Sequence, residues 1–188
     1  MKPGALLLFP GAGSDRDHSS LRALDDALSP RIAVERADFP YRKAGKTAPD
    51  RPPVLLESVR TEAAALVARA HIRAGRLVLG GRSMGGRICS MAVADRLPAR
   101  GLVLLSYPLH PPGRPDRLRT EHLPQLDLPC LFIHGTKDPF GTPAEIEAAS
   151  ESIPGPVTHV WIDRAGHDLR GADEQIVASV TSWLSALR

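Results

Sequence analysis

The sequence predicts an α/β fold with a sheet of about six parallel strands, helices on both faces and no lid domain. Short apolar runs of five or six residues recur along the chain, as expected for strands buried on both faces. Longer segments with apolar residues at helical spacing lie between these runs. This regular alternation of strands and helices is typical of a parallel sheet.

Size and composition indicate an ordinary globular protein, with one domain expected over residues 1–188. Hydrophobic residues make up 43% and charged residues 24% of the chain, and the net charge is +3. The basic residues are scattered, so no nucleic-acid surface is expected. Cys89 and Cys130 lie in apolar contexts and predict buried free thiols, which favour a reducing compartment. The first apolar run is too short for a signal peptide or membrane span, so we expect a cytoplasmic protein without membrane contact.

The N-terminal half contains the first three predicted strands. Residues 5–9 form an apolar run that ends at Pro10-Gly11, and leucines at helical spacing predict a helix over 19–29. We expect a second strand over 31–38. Further along, the spacing predicts a loop over 41–53, a long amphipathic helix over 54–74 and a third strand over 76–80.

The C-terminal half continues the alternation. A helix is predicted over 84–97, a fourth strand over 101–106, a proline-rich loop over 107–120 and a fifth strand over 130–134. Thr142-Pro143-Ala144-Glu145 is a helix start in which Thr142 and Glu145 can form a capping box. A sixth strand over 157–162 and an amphipathic helix over 176–187 complete the pattern.

The third strand runs into Gly81-Arg82-Ser83-Met84-Gly85, a G-x-S-x-G pattern between a strand and a helix. Such a turn holds a serine hydroxyl above the sheet, and its glycines relieve the crowding around the strained serine. The pattern alone is weak, because a tight strand–helix turn with an inert serine would look the same. The flanking strand and helix favour Ser83 as a nucleophile.

A serine nucleophile needs a base, and the base needs a carboxylate to orient it. His167 is the only histidine after the sixth strand, and Asp138 is the first carboxylate after the fifth. The order serine, acid, histidine is the order in which this kind of site is built. Asp163 and Asp168 flank the histidine and remain alternatives to Asp138. His134 is expected to be structural, and His18 has no supporting context.

Acyl transfer also needs donors for the oxyanion of the tetrahedral intermediate. We expect the backbone amide of Met84, which follows the nucleophile, and that of Ala12, in the loop after the first strand. The run Gly11-Ala12-Gly13 could instead suggest a nucleotide-binding turn. A full G-x-G-x-x-G pattern would require glycine at position 16, where the chain has Arg16.

Four segments together resemble the α/β-hydrolase superfamily, within it the small dienelactone-hydrolase-like branch of carboxylesterase type. They are Pro10-Gly11-Ala12-Gly13, Gly81 to Gly86, Ile133 to Asp138 and Gly166-His167. The resemblance implies a minimal α/β-hydrolase fold and a triad of Ser83, Asp138 and His167. Dienelactone hydrolase itself uses a cysteine nucleophile, and Ser83 in that place points to ester or thioester hydrolysis. We expect a small-molecule ester or thioester substrate, no cofactor and no metal.

The loop over 107–120 is the only segment that could cover the site, and Tyr107, Leu109 and His110 are its candidate substrate contacts. Arg82 and Arg87 bracket the serine turn, where either could bind a carboxylate of the substrate or form structural ion pairs. An open site would suit small or exposed acyl groups. Two other functions remain open, a non-catalytic binding module with the same fold and an acyltransferase.

Overall fold

The computed structural model describes residues 2–187, and its centre is one sheet of six parallel strands. The strands are β1 Ala5–Phe9, β2 Ala33–Arg36, β3 Leu77–Arg82, β4 Gly101–Leu105, β5 Cys130–Gly135 and β6 Val157–Ile162. The helices are α1 Ser19–Leu28, α2 Pro40–Lys43, α3 Pro52–Arg69, α4 Met84–Ala94, α5 Pro143–Ser150 and α6 Asp173–Ala186. The predicted fold class is confirmed, and no insertion within residues 2–187 is long enough for a lid domain.

The helices cover both faces of the sheet, which explains why the inner strands β1 and β4 are continuous apolar runs. Along β1, Leu7 and Phe9 face a core layer shared with α2, α3, α4 and α5. Leu6 and Leu8 point the other way, into the layer shared with α1 and α6. Successive strand side chains alternate between faces, so a strand between two helical layers must be apolar at every position.

The strand order is β2-β1-β3-β4-β5-β6, so the chain reverses its direction of travel across the sheet between β1 and β3. Phe9, at the end of β1, is the register partner of Gly81, near the end of β3. Ligand sites of open parallel sheets form beyond the carboxyl ends of the strands at such a reversal. The loops that follow β1 and β3 therefore lie side by side where a site is expected.

Some element boundaries differ from those predicted. The predicted loop over 41–53 contains the short helix α2 and the first turn of α3, which begins with Pro52 and Pro53. Proline is favoured at the first helical positions because its missing amide would have no partner there. Helix α3 ends at Arg69 rather than at residue 74, and α4 ends at Ala94 rather than at residue 97.

Two local predictions are confirmed. Thr142 and Glu145 form the reciprocal capping box at the start of α5, in which the Thr142 hydroxyl accepts a hydrogen bond from the Glu145 amide. Cys89 and Cys130 are both free and buried. Burial raises the pKa of the Cys130 thiol to about 12 and that of Cys89 further, because an apolar environment disfavours the thiolate.

Candidate active site

Ser83 occupies the turn between β3 and α4 in a backbone conformation that residues with a side chain rarely adopt. Its backbone has φ +50° and ψ −119°, outside the regions that non-glycine residues normally populate. The Ser83 amide donates to the Leu105 carbonyl at 2.8 Å, and the Arg87 amide donates to the Ser83 carbonyl at 3.1 Å. These bonds to β4 and α4 hold the turn in its strained shape.

The glycines of this turn are required by the close approach of β1. A Cβ atom on Gly81 would lie 2.1 Å from the Phe9 carbonyl oxygen, and one on Gly85 would lie 2.3 Å from the same atom. A Cβ on Gly86 would lie 2.7 Å from the Gly81 carbonyl oxygen. Because the obstacles are backbone atoms, no side-chain rotation could relieve these clashes.

Ser83, His167 and Asp138 are joined by two hydrogen bonds. His167 Nε2 lies 2.8 Å from Ser83 Oγ, and His167 Nδ1 lies 2.8 Å from Asp138 Oδ2. An ionised carboxylate only accepts hydrogen bonds, so Nδ1 carries the proton of a neutral imidazole. Nε2 is then left to accept a hydrogen bond from the Ser83 hydroxyl.

Asp138 is buried and held at both carboxylate oxygens, with an exposed fraction of 3%. The Phe140 amide donates to Oδ1 at 2.8 Å. His134 Nε2 lies 3.3 Å from Oδ2 and 2.8 Å from the Gly141 carbonyl oxygen. Nε2 is within hydrogen-bond distance of the Gly141 carbonyl and adjacent to the carboxylate, and burial lowers the pKa of His134.

The two alternative acids lie elsewhere. Asp163 is exposed and pairs with Arg164 at 3.1 Å. Asp168 Oδ2 lies 3.7 Å from Arg170 Nε, and its side chain is also exposed. Of the three aspartates considered from the sequence, the structure brings only Asp138 into hydrogen-bond contact with the imidazole of His167.

Ala12 and Met84 lie in the wall of the same cavity as Ser83 and His167. Met84 is the first residue of α4, so its amide has no acceptor within the helix. The Tyr41 hydroxyl donates to the Ala12 carbonyl at 2.9 Å and fixes the orientation of that peptide. A Cβ on Gly11 would lie 2.9 Å from Arg82 Nη1, which shows how closely this loop approaches the serine turn.

The cavity in front of Ser83 has a volume of about 640 Å³. Its wall includes residues from the loops after β1, β3, β4, β5 and β6, as parallel-sheet geometry predicts. Besides Ser83, His167, Ala12 and Met84, the lining residues are Gly13, Ser14, His18, Arg82, Arg87, Pro108, Arg119 and Phe140.

The loop over 107–120 reaches this cavity, but through residues other than the three proposed from the sequence. Tyr107 and Leu109 are each 1% exposed and belong to the core layer beneath α3 and α4. His110 is 5% exposed and lies 3.6 Å from Glu145. None of these three side chains therefore lines the cavity. The loop contributes Pro108 and Arg119 to the cavity wall instead.

Five lining residues were not identified from the sequence: Ser14, His18, Pro108, Arg119 and Phe140. Phe140 has the clearest role, because its ring stacks on the His167 imidazole with centroids 3.9 Å apart. Its position two residues after Asp138 could have suggested contact with the acid loop. Arg119 is distant in sequence from every motif, and no local pattern marks it.

Residues 2–187 show neither a metal-binding cluster nor a membrane-spanning helix. No three His, Cys, Asp or Glu side chains in that range are grouped so that they could hold a metal ion. Among the same residues, none of the helices has the length and apolar character needed to cross a bilayer.

Comparison with known proteins agrees with the fold. A dienelactone hydrolase from Anabaena variabilis superposes with a TM-score of 0.79 at 23% identity, covering 100% of this chain and 88% of that one. Est1E from Butyrivibrio proteoclasticus, solved with ferulic acid bound, has a TM-score of 0.81 at 16% identity, with coverages of 99% and 90%. The type II thioesterase BorB from the borrelidin biosynthetic cluster has a TM-score of 0.71 at 19% identity, with coverages of 97% and 93%.

At these identities the structural relatives establish the fold alone. The family model described as "Alpha/beta hydrolase domain" matches residues 2–184, almost the whole chain. The resemblance inferred from the four sequence segments is thereby confirmed, and this chain belongs to the alpha/beta hydrolase domain family.

Proposed function

We propose that this protein is a serine hydrolase that cleaves a carboxylic ester or thioester of a small or exposed acyl group through an acyl-enzyme. The observation that carries the proposal is the pair of 2.8 Å hydrogen bonds that link Ser83 to His167 and His167 to Asp138. A serine hydroxyl becomes a nucleophile when an oriented base can take its proton.

In the first half of the reaction, Ser83 Oγ attacks the acyl carbon while its proton passes to His167 Nε2. The tetrahedral intermediate places negative charge on the former carbonyl oxygen, which the amides of Met84 and Ala12 stabilise. Losing one such donor typically raises the barrier by about 2.7–4 kcal/mol. The bond to the leaving oxygen or sulfur then breaks, and the leaving group takes the proton from Nε2.

In the second half, water attacks the acyl-enzyme and gives its proton to His167 Nε2. Collapse of the second intermediate releases the carboxylic acid and returns the proton to Ser83. Asp138 keeps the imidazole in the tautomer with Nδ1 protonated and stabilises the imidazolium. The Phe140 ring, stacked on the imidazole, adds a cation–π contribution when His167 is charged.

The structural relatives support hydrolysis of this chemical class. Those named above include a dienelactone hydrolase, a protein crystallised with ferulic acid and a thioesterase. The absence of a lid domain within residues 2–187 favours short acyl chains or an acyl group exposed on a larger molecule. A marked preference for long-chain over short-chain para-nitrophenyl esters would contradict this part of the proposal.

The test is covalent labelling by a fluorophosphonate probe, read by intact mass. We expect one probe on the parent protein and none on Ser83→Ala. Ser182→Ala, which changes an exposed serine on α6, should be labelled like the parent. Hydrolysis of para-nitrophenyl acetate should fall by about 10⁴-fold or more in Ser83→Ala.

Failure of the parent to react, with all three proteins folded by circular dichroism, would contradict the proposal. It would favour a non-catalytic binding module with the same fold. Transfer of the acyl group to an added alcohol in preference to water would instead favour an acyltransferase.

A further inference from the structure

The wall of the cavity in front of Ser83 is strongly cationic. Arg82, Arg87 and Arg119 all line it, and its lining includes no aspartate or glutamate. Several other arginines within residues 2–187 have acids as partners, for example Arg36 with Asp17 and Asp25. Three arginines beside one small cavity without such partners require a separate explanation.

Contacts within the protein account for the position of Arg82 in the cavity wall. Its Nη2 donates to the His167 carbonyl at 3.2 Å, and its Nη1 packs against Gly11. The charges of Asp168 and Asp138 also act on its guanidinium. Arg82 therefore ties the histidine loop to the loop after β1, and we assign it a structural part rather than substrate contact.

No comparable contacts account for the position of Arg87 in the cavity wall. It lies in the first turn of α4, four residues after Ser83, and both residues line the cavity. Its Nε is inaccessible to solvent and has no hydrogen-bond partner among the residues that the structure describes. Within the same residues, Arg87 forms no ion pair with an acid, so its Nε, like that of Arg82, loses hydration without a compensating hydrogen bond.

Arg119 reaches the same cavity from the loop after β4. The Tyr107 hydroxyl donates to the Arg119 carbonyl at 2.7 Å, and the Arg119 amide donates to the Leu109 carbonyl at 2.9 Å. These contacts hold its backbone against the core. Its guanidinium makes one contact of its own, a 3.3 Å hydrogen bond from Nη1 to the Pro108 carbonyl.

The positive charge of Arg87 acts on the Arg119 guanidinium across the cavity wall that both line. Partial burial lowers the pKa of Arg119, and the positive charge of Arg87 lowers it further. Glu121 is exposed, and within residues 2–187 it forms no ion pair with either arginine. A negatively charged group between the two arginines would relieve this repulsion.

We propose that Arg87 and Arg119 form an anion-binding subsite for a carboxylate or phosphate carried by the substrate, next to the ester bond at Ser83. This assignment rests on the proposed function and narrows its substrate class to anionic esters or thioesters. Guanidinium groups suit both anions, because their planar N–H groups match two oxygens at once. Charge-assisted hydrogen bonds of this kind change affinity by about 10- to 100-fold each.

The test compares esters that differ in charge. On the leaving-group side they are meta-acetoxybenzamide, meta-acetoxybenzoate and meta-acetoxyphenyl phosphate, which carry a neutral group, a carboxylate and a phosphate. On the acyl side they are para-nitrophenyl hexanoate and mono-para-nitrophenyl adipate. Each series is measured as kcat/KM for the parent, Arg87→Met, Arg119→Met, Arg87→Lys and Arg117→Met.

Arg117→Met is the matched control, because Arg117 is an exposed arginine of the same loop. It removes the same net charge without altering the cavity wall. Comparing the anionic-to-neutral ratio between variants cancels the difference in leaving-group reactivity within a series. The preferred anion in the parent distinguishes carboxylate from phosphate.

We expect the anionic-to-neutral ratio to fall by about 10- to 100-fold in Arg87→Met and Arg119→Met, to fall less in Arg87→Lys and to stay near the parent value in Arg117→Met. Circular dichroism checks that all five proteins fold, and Arg117→Met should cleave the neutral esters at the parent rate. An equal ratio in the parent and both methionine variants, for both series, would overturn the proposal. So would an equal fall in Arg117→Met, because it would indicate only a general surface field.

A second measurement separates this proposal from the proposed function. Isothermal titration calorimetry on Ser83→Ala measures binding of the intact esters without turnover. If the parent cleaves none of these esters but Ser83→Ala binds the anionic ones more tightly, and loses that preference with Arg87→Met, the anion subsite stands and the hydrolase proposal fails. If the parent cleaves esters but neither binding nor turnover depends on charge, the hydrolase proposal stands and the anion subsite fails.

Discussion

Three polar partners keep the buried carboxylate of Asp138 in place. The Phe140 amide occupies Oδ1, while His167 Nδ1 and His134 Nε2 both approach Oδ2. An isolated charge at 3% exposure would be costly to bury. With its lone pairs in use, the carboxylate is fixed in the direction in which it orients His167.

Replacing Asp138 with asparagine tests this orientation directly. The asparagine amide can donate to Nδ1, which would move the imidazole proton to Nε2 and leave no acceptor for the Ser83 proton. We expect kcat for an activated ester to fall by about 10⁴-fold in Asp138→Asn. The measurement is steady-state hydrolysis of para-nitrophenyl acetate, with folding checked by circular dichroism.

Asp163→Asn is the matched control, because it makes the same chemical change four residues before the histidine at an exposed site. Its kcat should equal that of the parent. A large fall in Asp163→Asn together with a small one in Asp138→Asn would mean that the acid has been assigned to the wrong loop.

The sequence predicts the positions of Ser83, Asp138 and His167 because each follows an apolar strand whose end must lie at one edge of the sheet. It could not predict Arg119 or Phe140 as cavity residues, because their contacts depend on how two long loops fold back. Tyr107 and Leu109 show the same limit. In the extended chain after β4, side chains alternate, so residues 107 and 109 enter the core while Pro108 faces the cavity.

At the scale of elements, the turn between β3 and α4 depends on its contact with β1. The Gly85 position faces the Phe9 and Pro10 carbonyl oxygens, at 2.3 and 2.6 Å from where a Cβ would lie. The same contact places the loop after β1, with Ala12, against the serine turn. Strain in one turn is thus supported by the packing of a neighbouring strand and loop.

Gly85→Ala should therefore destabilise the protein by about 1–3 kcal/mol, since backbone atoms must move to admit the methyl group. Activity should fall as well, because the movement displaces the amides of Ala12 and Met84. Gly13→Ala is the control for stability in the neighbouring loop after β1, where no atom lies within 4 Å of the new Cβ. Urea unfolding measures the free energy of unfolding of both variants. Equal stability of the two variants would show that the turn can relax without cost.

Elements were predictable where one physical signal dominated. The bounds of β1 and β6 match the predicted strands, because Pro10 follows β1 directly, and Pro156 and Asp163 flank β6. Helix α2 and the first turn of α3 were missed because prolines and charged residues dominate residues 40–53. There the decisive interactions are tertiary, such as the burial of Tyr41 against Phe39 and its hydroxyl bond to Ala12.

At the scale of the whole molecule, burial disfavours the charged form of several histidines. Burial lowers the pKa of His18, His134 and His159. Burial, with a smaller effect from the charge of Arg87, lowers that of His122 to about 4 from 6.5. His122 Nε2 lies 2.8 Å from the Ser90 hydroxyl, so it joins the end of the 107–120 loop to α4.

Stability should consequently decrease on mild acidification. In the unfolded chain these histidines bind protons below about pH 6.5, whereas in the native protein they bind them only at lower pH. The unfolded state therefore binds more protons in this range, and the free energy of unfolding falls as the pH drops from 6.5 towards the native pKa values. For His122 alone, the loss between pH 7 and pH 5 is about 2 kcal/mol.

Urea unfolding of the parent and of His122→Gln at both pH values tests this account, in a range where most carboxylates stay ionised. We expect the parent to lose stability at pH 5 and His122→Gln to lose about 2 kcal/mol less, although the variant starts from a lower value at pH 7 because the contact with Ser90 is altered. His71→Gln changes an exposed histidine and should follow the parent at both pH values. If His122→Gln and the parent lose the same free energy, His122 is already solvated in the native protein, and the end of the loop that carries Arg119 is held by Tyr107 rather than by the contact with α4.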